Sequence, residues 1–256
     1  MALVFPESQD PGRRAGQPYT LLLPEIGSDG KSVANSESQQ KARVSPHEVV
    51  RLDDTHAVML TETVKVDDQG KPENAHVSGA WLGAYFFERS SDGWRLSARN
   101  DAVGYHGFMN SLGDLRVEHM AVRRFALLII SGSCWQGECG EWLTIYEIKA
   151  DTLSQLVAGI PLSANNDGAD EACRKGLKSR KPKKAQTKAC YEISGEPRFA
   201  TNIDANAPGE LHIAFKGVRT GSAKNLRALR VDTTVIYQYL GGVYVSTKGR
   251  NPVPSL

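Results

Sequence analysis

The sequence has no run of eighteen or so apolar residues, so it contains no segment able to cross a bilayer as a helix. It lacks G-x-S-x-G, because Gly132-Ser133-Cys134 is not followed by the second glycine, and it has neither H-E-x-x-H nor a Gly-rich phosphate loop. The hydrolase, zinc-protease and nucleotide chemistries that depend on those spacings therefore lose their footing. Helical periodicity with a cap and a stop is missing too; the best candidate is one short turn over SPHEVVRL, with Ser45 as cap and Pro46 at the first position. Six histidines, His47, His56, His76, His106, His119 and His212, are scattered with no ligand-spaced pair. No cofactor or metal is expected. Excess charge is also lacking: 31 Lys and Arg against 29 Asp and Glu leave +2, which argues against a nucleic-acid binder with a basic face throughout.

What charge imbalance there is lies in one place. Between Cys173 and Cys190 the chain reads RKGLKSRKPKKAQTKA, with Arg174, Lys175, Lys178, Arg180, Lys181, Lys183, Lys184 and Lys188 and no acid. So dense a block repels itself and cannot enter a core, so it is either a solvated insertion or the meeting place for something anionic. Without it the remaining surface is mildly acidic.

The four cysteines fall into two local pairs, Cys134 with Cys139 and Cys173 with Cys190. Three connectivities are open to four cysteines, and the local one is the simplest. As disulfides they would contribute about 3 kcal/mol for the larger loop and about 2 kcal/mol for the smaller. Such bonds persist in an oxidising compartment, which favours the periplasm or secretion. Two other readings stay open: a zinc site, although no C-x-x-C knuckle or nearby histidine supports one, and buried free thiols. The start, MALVFPESQDPGRRAG, has no charged n-region or full apolar h-region. Taken with the cysteines, this leads us to expect that a leader has been removed.

Residues 1–46 are polar and rich in Ser, Gly, Gln and Pro, with one apolar island at Tyr19–Leu23, and read as a flexible N-terminal arm able to supply one strand. From 47 onward the reading is a single β domain, 47–256, carrying the basic insertion at 173–190. HAVMLTETV, AWLGAYFFE and WRLSAR are strand-like runs separated by the turn signals Asp67-Asp68-Gln69-Gly70 and Ser90-Ser91-Asp92-Gly93. The phrase recurs as RFALLIISG, EWLTIYEIK and SQLVAGIPL, and again as ELHIAFKGV, TTVIYQYL and GVYVSTKG, with a Gly241-Gly242 hairpin turn. We therefore expect an all-β fold of three antiparallel meander units, with little helix, in a partial propeller-like or sandwich arrangement. Trp81, Tyr85, Phe86, Trp94, Trp142, Tyr146, Tyr237 and Tyr239 are the expected core aromatics.

Three weak chemical candidates remain. Asp101, Tyr105, His106 and Ser111 in DAVGYHGFMNS combine a carboxylate, an imidazole and hydroxyls suited to acid–base work. Glu138 and Glu141 flank Cys139, and Asp167, Asp170 and Glu171 lie in an oxygen-rich stretch whose spacing departs from the EF-hand pattern.

The segment SGSCWQGECGEWLTIYEI, a strand, a Trp-Gln-Gly turn and a W-L-x-x-Y strand, resembles uncharacterised extracytoplasmic β-repeat proteins of proteobacteria. Some of those are similar to immunity proteins that protect a cell from toxins delivered by type VI secretion. The resemblance covers the central third of the chain, implies a binder and carries over no catalytic residue. The expectation is thus an extracytoplasmic, non-catalytic binding protein that presents the basic loop to an acidic protein partner, with no role for nucleic acid. Two alternatives are a hydrolase with an unfamiliar site near His106 and a binder of anionic cell-surface lipid or glycan.

Overall fold

Alternation of side chains decides the strands. In TLLLPE the leucines at 21 and 23 point inward while Leu22 stays exposed, and in QQKARV the inward set is Gln40, Ala42 and Val44. The computed structural model describes residues 1–10, 17–27, 31–72, 76–169, 171, 173, 177, 189–200, 207–220 and 228–255. Strand makes up 70% of it and helix 3%, and the strands form antiparallel sheets, so the fold is all-β.

A 3₁₀ turn, Pro6–Gln9, precedes β1 (Tyr19–Ile26), β2 (Ser32–Arg51), β3 (His56–Lys65), β4 (Ala80–Ser90) and β5 (Gly93–His106), which form a five-stranded sheet in sequence order. β1 and β5 approach each other, so this sheet nearly closes into a barrel. An eight-stranded sheet follows in sequence order: β6 (Asp114–Ala121), β7 (Arg124–Trp135), β8 (Glu138–Ile148), β9 (Leu153–Asn165), β10 (Tyr191–Phe199), β11 (Leu211–Thr220), β12 (Ala228–Leu240) and β13 (Val243–Lys248).

The chain divides into two compact units. Unit one comprises Met1–Val117, Arg123–Ser131 and Glu147–Ser154; unit two comprises Glu118–Val122, Gly132–Tyr146 and Gln155–Leu256. In unit one, Val4, Phe5, Leu21, Leu23, Ala42, Val44, Met59, Trp81, Tyr85 and Phe87 form one apolar cluster. At about 25 cal/mol per Å² of apolar area, such a cluster is the main stabilising term of the sheet. In unit two the buried set includes Leu143, Ile145, Tyr146, Ile193, Leu211, Ile213, Phe215 and Val235.

The turn signals act as their chemistry requires. Asp67 accepts the backbone N–H groups of Gln69 (2.8 Å) and Lys71 (2.9 Å), with Gly70 at φ 79°. Gly241 and Gly242 take φ 59° and 93°, the left-handed pair that a two-residue hairpin needs.

Residues 1–46, read from the sequence as an arm able to supply one strand, contribute Val4 and Phe5 to the core, all of β1 and most of β2. One local expectation is corrected. SPHEVVRL is strand, because pairing with β3 overrides the local helix signal; Pro46 sits at a bulge between Pro46 and Glu48, where a missing N–H does least harm. The expected all-β fold of antiparallel meanders is present, with the second and third phrases sharing one sheet through β10.

Candidate functional site

In unit one, the groups of DAVGYHGFMNS are committed to separate partners. Asp101 accepts the Tyr85 hydroxyl at 2.6 Å and the Arg99 Nε at 3.0 Å on both carboxylate oxygens. Burial, and then the Asp101 carboxylate, hold the Tyr85 phenol well above its ordinary range. Tyr105 accepts the Gly79 N–H at 2.6 Å on its hydroxyl oxygen. The Ser111 hydroxyl donates to Glu62 at 3.1 Å, and the same Glu62 oxygen receives the Leu112 N–H at 2.8 Å. His106 pairs in register with Ala80, and burial pulls its imidazole down to about 4, so it is neutral at pH 7. The carboxylate and the serine are thus tied to Tyr85 and Arg99 on one side and to Glu62 on the other.

In unit two, the cysteines do converge. Cys134–Cys139 and Cys173–Cys190 are both disulfides, with Cα separations of 4.0 Å and 5.2 Å. The first closes the β7–β8 hairpin, whose tip residues Gln136 and Gly137 both take positive φ. A Cβ on Gly137 would overlap the backbone of Gly168 and Ala169, so only glycine lets the hairpin tip lie against the turn that follows β9. That turn begins at Asn166, which is buried and serves as a stand-in strand for the return from the basic segment. Its Nδ2 donates to the Ala189 carbonyl at 2.9 Å, and its Oδ1 accepts the Tyr191 N–H at 2.9 Å. On the other side, the Cys190 N–H donates to the Thr220 hydroxyl at 2.9 Å, and the Thr220 N–H donates to the Cys190 carbonyl at 2.8 Å. Cys173, Cys190, Asn166 and Thr220 are all buried. The two ends of the cationic segment are therefore joined by a covalent bond, and its return end at Ala189–Tyr191 is held by four hydrogen bonds.

Arg174, Lys175, Lys178, Arg180, Lys181, Lys183, Lys184 and Lys188 lie outside the described residues, as does Asp170 of the calcium candidate. Asp167 sits in the turn closed by the Ala169 N–H on the Asn166 carbonyl, 3.3 Å. Among the described residues no group of three His, Cys, Asp or Glu is placed to hold a metal. Glu141 accepts the Ser163 hydroxyl at 2.6 Å, while Glu138 faces Tyr191. The Tyr191 phenol is raised first by burial and then by the Glu138 charge. Of the expected core aromatics, Trp81, Tyr85, Phe86, Tyr146 and Tyr237 are buried, whereas Trp94, Trp142 and Tyr239 are half-buried.

Sequence reasoning missed Trp135, which is 67% exposed at the tip of the disulfide hairpin. Its position next to Cys134 and two residues before a glycine was the available signal. Also missed were Asn166 and Thr220, which only the register of distant strands brings to Cys190. Comparison with protein-family models, with curated proteins and with solved structures returns no match.

Proposed function

We propose that this protein is an extracytoplasmic, non-catalytic binding protein that neutralises an acidic protein partner, in the manner of an immunity protein acting on a secreted toxin. The observation that carries the reading is the enclosure of eight cations between two buried, disulfide-bonded cysteines whose return path is fixed by Asn166 and Thr220. Joining the two ends of a segment restricts the conformations open to it and so reduces the entropic cost of binding. A dense cationic segment also speeds encounter with an acidic face and rejects basic ones. Two disulfides agree with an oxidising environment, and the periplasm is the compartment that fits the immunity reading. The commitment of Asp101 to Tyr85 and Arg99, and of Ser111 to Glu62, speaks against the hydrolase alternative.

The test is a paired capture from the native host's extracytoplasmic fraction. Wild type and a variant with Lys178, Arg180, Lys181, Lys183 and Lys184 all changed to Glu serve as baits. The expected result is one acidic protein retained by wild type and lost from the variant. Retention of the same proteins by both baits would overturn the reading, as would recovery of only lipid or glycan.

A further inference from the structure

β12 is paired to β11 along its length, from Ala228 opposite Thr220 to Tyr237 opposite Leu211. On its other side β13 covers only Ile236–Leu240. Beyond that, Gly249 at φ 85° turns the chain beside Thr234. Leu229–Thr233 is thus an open edge. In an antiparallel strand every second residue directs its N–H and C=O to the outer side, and among the described residues nothing pairs with those groups here.

This edge forms one wall of an 880 Å³ groove, and Arg250–Ser255 forms the other. The second wall is fixed, because the Asn251 Nδ2 donates to the Pro161 carbonyl at 2.8 Å and its Oδ1 accepts the Val253 N–H at 2.9 Å. It cannot fill the edge itself with a regular ladder, since Pro252 and Pro254 carry no N–H. Leu229, Val231 and Val253 supply apolar lining. Among the described residues the charge is one-sided: Arg219, Arg230 and Arg250 line the groove against one carboxylate, that of Asp232, which Arg230 engages at 3.0 Å. Arg219 and Arg250 have no acidic partner among the described residues. Arg219 stands opposite Tyr191 in register, one residue from the Cys190–Thr220 link, so the groove begins where the cationic segment ends.

An open edge offers a main-chain ladder, and the guanidiniums of Arg219 and Arg250 beside it offer bidentate carboxylate contacts. We propose that the groove receives an extended acidic segment of a partner protein, which adds as a strand to Leu229–Thr233 and sets its carboxylates on Arg219 and Arg250. This inference rests on the reading above only in taking the partner to be an acidic protein. A second copy of this chain is the poorer occupant, because it would bring further arginines to a cleft already in positive excess.

The experiment titrates isotope-labelled full-length protein with a blocked peptide of alternating Glu and Val, followed by NMR. The expected result is saturable shifts at Leu229–Thr233, with Arg219→Gln and Arg250→Gln each weakening binding about tenfold, the loss of one charge-assisted contact. A peptide with Gln for Glu and a backbone N-methylated peptide should both fail, the first for want of charge and the second for want of a ladder. Equal binding by the N-methylated peptide, or displacement by inorganic phosphate at matching affinity, would overturn strand addition. Shifts confined to 174–188 would overturn the groove while leaving the loop reading intact. Concentration-dependent dimerisation through Leu229–Thr233 would assign the edge to a second copy and overturn the proposed occupant. Failure of the loop variant's capture test, by contrast, strikes the reading itself and leaves the peptide result standing.

Discussion

The interior of the five-stranded sheet in unit one and the disulfide-bonded end of unit two treat charge in opposite ways. In the sheet the groups around Asp101 answer one another: Tyr85 donates to Asp101, Arg99 grips the same carboxylate, and the Arg99 guanidinium lies over the Phe5 and Tyr85 rings at 5.0 Å and 5.7 Å. At the end of unit two, buried cysteines, Asn166 and Thr220 fix a rigid base, yet the segment that springs from it holds eight cations and no acid, and Arg219 and Arg250 nearby have no acidic partner among the described residues. Both regions are antiparallel meander. One uses its polar groups to hold itself together, and the other leaves charge to be met from outside.

The sharpest blow to the first region is Tyr85→Ala. It removes a fully buried ring and leaves Asp101 without its donor, so it should cost roughly 4 kcal/mol in urea denaturation. A loss below about 1 kcal/mol would show that the polar cluster does not hold the sheet.

Changing Cys173 and Cys190 together to Ser should cost about 3 kcal/mol by chain entropy. In the same variant, partner capture should weaken although all eight cations remain. Unchanged capture would separate the bond from the binding surface.

His106 supplies a pH test. Its unfolded value is near 6.5 and its folded value about 4, so the unfolded chain binds more protons across that interval. Stability from this group is present above pH 6.5 and is lost as pH falls toward 4, by about 3 kcal/mol. His106→Asn should flatten that slope in melts run across the window, and an unchanged slope would place the acid sensitivity elsewhere.

The smallest effect concerns Thr63, whose buried hydroxyl has no hydrogen-bond partner among the described residues. Thr63→Val keeps the shape and removes the orphan, so stability should stay level or rise by up to about 1 kcal/mol. Destabilisation beyond that would mean that the hydroxyl is satisfied after all.

Much of the fold was legible because the runs at HAVMLTETV, AWLGAYFFE and EWLTIYEIK bury both or one face with β-branched and aromatic residues, and each is a strand. β2 was hidden because its outward residues are Ser, Gln, Lys and Glu and its inward set is as modest as Gln40, Ala42 and Val44. β10 was hidden by Gly195 and Pro197; the glycine leaves room for the Phe215 ring, and the proline lies past the Glu192–Ser194 stretch paired to β9. The local cysteine pairing was the simplest of the three that the spacing left open, and it is the one that forms. The groove was not, because the open edge of β12 depends on where β13 stops pairing, and no local pattern records that.

The central claim is that the cationic segment between Cys173 and Cys190 meets an acidic protein. Its most direct test is surface plasmon resonance of the captured partner against wild type and the variant with five Lys and Arg changed to Glu, at low and high salt. Individual exposed charges are worth about 1 kcal/mol or less, so the combined change should far exceed any single one. The loss should lie mainly in the association rate and shrink as salt shortens the screening length below about 8 Å. Equal affinities at low salt would contradict the account and make the segment a solvated insertion.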